Sequence, residues 1–300
     1  MERLITETTA YKILSGDANK NKLSHAYMLA FSDGAHLLSA LKLFAVRVFG
    51  FGAYTREEKL VKNGTFADLK VYPKEDKKLS VDDAVEILED CVLEPIECDK
   101  KVYIISNFDT ASALFQNKLL KVLEEPPKNV YFLLGARTLS SVLDTVKSRV
   151  NKLEISPFSP AEIEGALTRT LGSGDYKRVA RYCGGNFGEA EKMLVGDWFL
   201  NVDEAAKEIC SAYKLSAVGE IATRHAETKN KEELLAHVQR IYYDALVGEH
   251  DLKWSKGTLV YAVESVVRAI TDVRFNANFS ALLYNLMLDV IRFEGRVATK

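Results

Sequence analysis

Five short runs of β-prone residues, YMLAF, LKVY, VYIIS, VYFLLG and KLEIS, recur through the first 155 residues, separated by segments of helical character. Strands that alternate with helices are joined by crossover connections, and such strands line up in parallel with helices on the sheet faces. The first part of the chain is therefore expected to be α/β. Its clearest helix is TASALFQNKLLKVLEE, with Ala113, Leu114, Leu119, Leu120 and Leu123 on one apolar face. Asp109 or Thr110 is expected to cap its start, and Pro126 with Pro127 to stop it. After SPFSP, at 156–160, the strand signals cease. Three short helices follow, divided at Gly172 to Gly174 and at Gly184 to Gly185. Beyond them Leu234, Leu235, Val238, Ile241, Tyr242, Ala245 and Leu246 keep a helical spacing, as do Val263, Val266, Val267, Ile270 and Val273. The last helix, FSALLYNLMLDVIRF, is apolar over most of its circumference and must be covered by its own bundle or by another chain. The expected organisation is an α/β domain over 1–156, a small helical domain over 157–200 and a longer helical domain over 201–300.

Composition narrows the function classes. With 40 Lys plus Arg against 42 Asp plus Glu the formal net charge is −2, so no general field holds a polyanion and any nucleic-acid contact is local or made through partners. Cys91, Cys98, Cys183 and Cys210 form no C-x-x-C pair and lie far in sequence from His25 and His36. They read as free thiols of a reducing cytoplasm, with no metal site expected. The first residues, MERLITETTAYKIL, carry charges and threonines where a signal peptide has an apolar core, and Lys42 and Arg47 interrupt the longest apolar stretches. A cytoplasmic location without membrane contact is the expectation.

The segment SHAYMLAFSDGAHLLSALKLFAVRVF, Ser24 to Phe49, has the frame of a phosphate-binding loop: an apolar strand, a turn and a helix. Its chemistry is missing. Where G-x-x-x-x-G-K-[ST] is needed to cradle phosphates, neutralise them and hold Mg²⁺, Phe31, His36, Leu37 and Leu38 stand. A strand-turn-helix without the lysine is by itself an ordinary βα unit. Its surroundings say more. HAYMLAFSDGAHLLSALKLFA resembles, without a gap, the strand, loop and helix of bacterial clamp-loader motor subunits. The segment 101–150, with LLKVLEEPP, an apolar strand and then SR, resembles the central part of the DNA polymerase III clamp-loader family within the AAA+ superfamily, and in particular its delta prime branch. RAITDVRFNANFSALLYNLML similarly resembles the collar helix of these subunits.

That resemblance implies a RecA-like AAA+ domain, a helical lid and an oligomerising collar. Four parts of the family's ATP site are altered together. Besides the loop, Ser106 and Asn107 stand where a motor carries an Asp for magnesium and a Glu for water. Arg137 stands at the sensor position after the next strand, and Phe187 and Gly188 where the lid would carry an arginine. A subunit that hydrolyses no ATP and needs no cofactor is implied. It is not an enzyme by itself, within a complex that carries DNA-directed DNA polymerase activity. KSRV at 147–150 matches the family's Ser-Arg-Cys motif, with Val150 for the cysteine. From the tripeptide alone, Arg149 reads as a surface arginine pairing with Glu154 or another nearby carboxylate. With the family match, the resemblance implies an arginine finger acting in trans, positioned by Ser148.

Further implied are gamma/tau and delta subunits as neighbours, with the sliding clamp and primer-template DNA reached through the complex. The alternative is a gamma/tau-like ATPase that still binds nucleotide. Many relatives carry a four-cysteine zinc module, but RVFGFGAYTREEKLVKNGTFADLKVY has no cysteine, so no metal is expected there. Lys74, Lys77 and Lys78 precede an amphipathic helix starting near Ser80 and are expected to face solvent rather than DNA phosphate. Trp198 and Trp254 are expected to pack at domain ends.

Overall fold

The computed structural model describes residues 1–74, 77–174, 176–195, 198–275 and 277–297, without the side chain of Trp198. Two compact units divide the chain, Met1–Glu191 and Lys192–Lys300. The first opens with helices α1 (Glu2–Glu7) and α2 (Thr9–Asn19), strand β1 (Ala26–Phe31), α3 (Gly34–Phe49), α4 (Arg56–Asn63), β2 (Leu69–Tyr72) and α5 (Val81–Asp90). It continues through β3 (Lys101–Ile105), α6 (Ala113–Glu124), β4 (Val130–Ala136), α7 (Asp144–Lys147) and β5 (Asn151–Ile155) to α8 (Pro160–Leu171), α9 (Lys177–Tyr182) and all but the last two residues of α10 (Phe187–Met193). The five strands pair in the order β2-β3-β4-β1-β5, every pair parallel. The expected α/β architecture followed by helices is what the chain adopts.

Central strands covered by helices on both faces are apolar on both faces. So β1 reads AYMLAF and β3 KVYII, with almost every residue buried. Helix α3 lies on β4 so closely that a Cβ at Gly135 would come within 2.6 Å of Leu41 Cδ1 and 3.1 Å of Leu37 Cδ1. Position 37 is thus a core position, and Leu37 is 1% exposed. Local signals set the helix ends: Asp33 caps α3, Gly50 at φ 86° closes it, and Ser80 with Asp83 forms a capping box on α5. The cap of α6 differs from expectation. Phe108–Thr110 forms a 3₁₀ turn, which places Ser112 at the helix start, where its hydroxyl accepts from the Phe115 N–H at 3.2 Å. The Asp109 carboxylate serves Arg137 instead, and Thr110 Oγ1 donates to the Asn107 carbonyl.

The second unit contains α11 (Trp198–Cys210), α12 (Leu215–Arg224), α13 (Lys231–Leu246), α14 (Lys256–Arg274) and α15 (Phe279–Val297). Leu234, Leu235, Val238, Ile241 and Tyr242 of α13 are buried, and α15 buries Phe279, Leu283, Leu286, Met287 and Val290. The apolar last helix is therefore covered largely by its own bundle. On α14 the buried stripe runs through Leu259, Ala262, Val266 and Ala269, which leaves Val267 about half exposed.

One buried anion fixes the approach to β3. The Asp68 carboxylate, fully buried, accepts three backbone N–H groups, from Ile96 at 2.6 Å, Glu97 at 2.7 Å and Cys98 at 3.0 Å. Asp68→Ala leaves those donors unsatisfied and is expected to destabilise the first unit by about 3 kcal/mol or more, read as a lowered urea midpoint.

Candidate functional site

In a parallel sheet every strand ends on the same edge, so the loops after β1, β3 and β4 meet there. The register sets Ala30 opposite Ala136 and Ile105 opposite Leu134. Residues Ser32 to Gly34, Ser106 to Asn107 and Arg137 therefore gather at one edge, although 31 and 137 are far apart in sequence.

The head of α3 points its first N–H groups into this edge, where an anion is stabilised by unpaired donors and by the helix dipole. The anion present is the Asp33 carboxylate, 1% exposed. Its Oδ1 accepts from the His36 N–H at 3.3 Å, and its Oδ2 lies 3.0 Å from His36 Nδ1. The same Oδ2 accepts from the Gly188 N–H at 2.9 Å. His36 in turn has Nε2 3.2 Å from Glu191 Oε2, and its ring meets Phe187 edge-on at 5.5 Å. Side chains of α3 and α10 thus close over the loop. A Cβ at Gly188 would stand 2.7 Å from Asp33 Oδ1 and 2.8 Å from Ala35 Cβ, so the longer side chain of a sensing arginine has no room. Phe31, 2% exposed, packs edge-on against Phe158 at 6.1 Å, while Leu38 is half-buried.

Burial pushes the Asp33 carboxyl up, but the hydrogen bonds from His36 and Gly188 outweigh it and hold it below its usual range. The hydrogen bond to Asp33 raises His36 above the ordinary histidine value, against the opposing effect of burial. Each partner thus favours the charged form of the other.

The other expected positions are likewise occupied by their own contacts. Ser106 is buried, its N–H and hydroxyl both donating to the Tyr72 carbonyl at 2.8 and 3.3 Å. Asn107 turns the chain at φ 54°. Arg137 bonds Asp109 through its N–H and Nε, both at 3.3 Å, and its Cδ would stand 2.9 Å from a Cβ at Gly34. Among the described residues no group of three or more His, Cys, Asp or Glu is arranged to hold a metal ion.

Arg149 and Ser148 lie elsewhere, between α7 and β5, in an open depression of about 500 Å³ that Ser24, His25, Glu124 and Asn151 also line. Arg149 pairs with Glu124, Nη2 to Oε2 at 2.9 Å, rather than with Glu154. Its Nη1 donates to the Thr145 carbonyl at 2.9 Å and to Ser148 Oγ at 3.4 Å, while Ser148 Oγ donates to the same carbonyl at 3.0 Å. Ser148 therefore contacts the Arg149 guanidinium directly.

Where relatives are expected to carry zinc, Phe49, Phe51 and Phe66 pack on one another with ring centroids 5.1 to 5.2 Å apart. All four cysteines are free. Lys74 is paired with Glu86 at 2.5 Å. Trp254 is buried and donates to the Cys210 carbonyl at 2.8 Å, whereas the Trp198 side chain lies outside the described residues. Sequence reasoning missed Asp33, Glu191 and Glu124. An Asp directly before a helix signals a cap, but nothing local signals the other two.

A family profile described as "DNA polymerase III, delta subunit" matches residues 6–159. The chain is 30% identical over 194 residues to DNA polymerase III subunit delta' of Bacillus subtilis, covering 63% of this chain and 59% of that protein. It is 30% identical over 165 residues to subunit tau/gamma of Haemophilus influenzae, covering 53% of this chain and 24% of that one. The matched region thus spans less than two thirds of either relative's own length. Among solved structures, a DNA polymerase III gamma-subunit-related protein of Thermotoga maritima aligns at 16% identity and a TM-score of 0.47, over 93% of this chain and 98% of that one. No helix among the described residues is long and apolar enough to cross a membrane.

The Asp33–His36 pair gives a pH dependence. The raised histidine contributes stability that is complete below its unfolded pKa and is lost as pH rises through its folded value. The lowered aspartate contributes stability present above its unfolded pKa and lost as pH falls through its folded value. Protection of the Gly188 amide against hydrogen exchange, corrected for intrinsic rate, is expected to be greatest between those limits. It should fall as pH rises past the raised His36 value, and His36→Ala should abolish that fall.

Proposed function

The chain belongs to the DNA polymerase III delta-subunit family, and on that premise we propose that it is a clamp-loader subunit of the delta prime kind that hydrolyses no ATP. It acts as a stator that supports loading of a sliding clamp onto primed DNA. The observation that carries this reading is the Asp33 carboxylate at the head of α3. It accepts the His36 N–H of that helix head, a donor of the kind a nucleotide phosphate uses, and the amide of Gly188 completes its contacts. Leu37, at the position of the loop lysine, is in the core, and Ser106 is committed to Tyr72. These contacts favour the stator over a gamma/tau-like ATPase that still binds nucleotide.

The residues 157–200 are read as a lid and 201–300 as a collar. In a motor the nucleotide ties lid to loop; here Asp33, His36 and Glu191 make that tie. The partners are gamma/tau and delta subunits, and the clamp and primer-template DNA are met through the assembly. Arg149 acts in trans, stabilising charge on the phosphoryl group transferred in a neighbour's site, with Ser148 and the Thr145 carbonyl orienting it.

In a loader assembled with its partner subunits, Arg149→Ala is expected to lower single-turnover hydrolysis at the neighbouring site by roughly 10³-fold, the scale of known arginine fingers. Gel filtration should show intact assembly, and an unchanged rate would remove Arg149 from catalysis. Leu37→Lys is expected to restore no ATP binding and to destabilise the chain by about 3 kcal/mol, because it puts a charge into the packed α3–β4 interface.

A further inference from the structure

The hydrogen bonds around Arg149 involve a residue that plays no part in the reading above. Its guanidinium donates from Nε and Nη2 to the same oxygen, Glu124 Oε2, at 3.1 and 2.9 Å. A guanidinium has five N–H donors in a rigid plane and no acceptor. The edge formed by Nε and Nη2 is one of those that grips carboxylate or phosphate side-on, and it faces Glu124. The opposite nitrogen, Nη1, is held by the neutral Thr145 carbonyl and Ser148 hydroxyl. One edge of the arginine therefore rests on groups that carry no charge, and the other on an anion.

The two anchors also differ in freedom. The Glu124 side chain is 60% exposed, against 31% for Arg149. It is the last residue of α6, whereas Thr145 and Ser148 belong to the α7 turn that leads straight into β5. When a second anion approaches the charged edge, Glu124 and that anion repel each other, and the exposed carboxylate can withdraw into water at little cost.

Resting on the reading of Arg149 as an arginine finger, we propose that Glu124 is a positioning residue that holds the finger in the unassembled subunit and is exchanged for a phosphate oxygen of the neighbour's ATP on assembly. One anion replaces another on the same pair of N–H groups, while Thr145 and Ser148 keep the guanidinium plane in place. The exchange leaves the arginine paired at every stage. It also makes the neighbour's nucleotide compete with an internal carboxylate, so Glu124 weakens apparent ATP affinity without touching the transition state.

The test is the ATP dependence of clamp- and DNA-stimulated hydrolysis in the loader assembled from the full chain and its partner subunits. Wild type, Glu124→Gln, Arg149→Ala and the double variant are compared, with assembly checked by gel filtration. Glu124→Gln is expected to lower the KM for ATP about two- to fivefold, the worth of an exposed ion pair, with kcat unchanged. The effect should vanish in the Arg149→Ala background. An unchanged KM or a fall in kcat with Glu124→Gln, where Arg149→Ala itself lowers kcat, would overturn the exchange and leave the finger standing. An Arg149→Ala loader that assembles and turns over normally would overturn both.

Discussion

The head of a helix that opens a βα unit carries N–H groups with no partner in the helix itself, and the rest of this molecule's site follows from how they are satisfied. In a phosphate-binding loop the answer is a ligand. In this chain it is Asp33, a residue of the loop itself, whose carboxylate is buried and accepts from both His36 and Gly188. The anion is covalently part of the protein, so the His36 N–H at the helix head has its acceptor without a ligand. The histidine that takes the place of a loop glycine then acquires a role, bridging Asp33 to Glu191.

From that one contact the other departures form a consistent set. Leu37, at the start of the same helix, joins the core against β4. Ser106, at the end of β3, donates to the neighbouring carbonyl of Tyr72. A glycine at position 188 is required because any Cβ would meet Asp33 and Ala35. Arg149 lies away from this edge, its guanidinium reachable from solvent and held by short bonds to its own chain. The strand, turn and helix of this unit are thus tied together by the chain's own side chains.

Much of this was legible in the sequence, for reasons that differ between elements. The five strands were clear because buried parallel strands are written as short apolar runs, and α13 because its buried residues keep a helical spacing. That position 37 carries Leu is read directly from the sequence, and its burial follows from the apolar face of α3. The capping of α6 was not, because a 3₁₀ turn of three residues, Phe108–Thr110, displaces the cap to Ser112 and no local pattern separates one polar residue from the next. Glu124 rather than Glu154 meets Arg149 because the crossover from α6 through β4 returns a residue 25 positions earlier, a matter of topology that spacing does not reveal. The contact between Asp33 and Gly188 joins residues 155 positions apart, so the chemistry that closes the site is a property of the fold alone.

The central claim is that an internal carboxylate stands where a nucleotide phosphate would bind. Isothermal titration of the isolated full chain with ATP and Mg²⁺ tests it most directly, with proton spectra of the His36 ring recorded in the same series. No heat of binding and unchanged His36 resonances up to millimolar nucleotide are expected. A saturable isotherm with micromolar Kd that moves the His36 signals would contradict it.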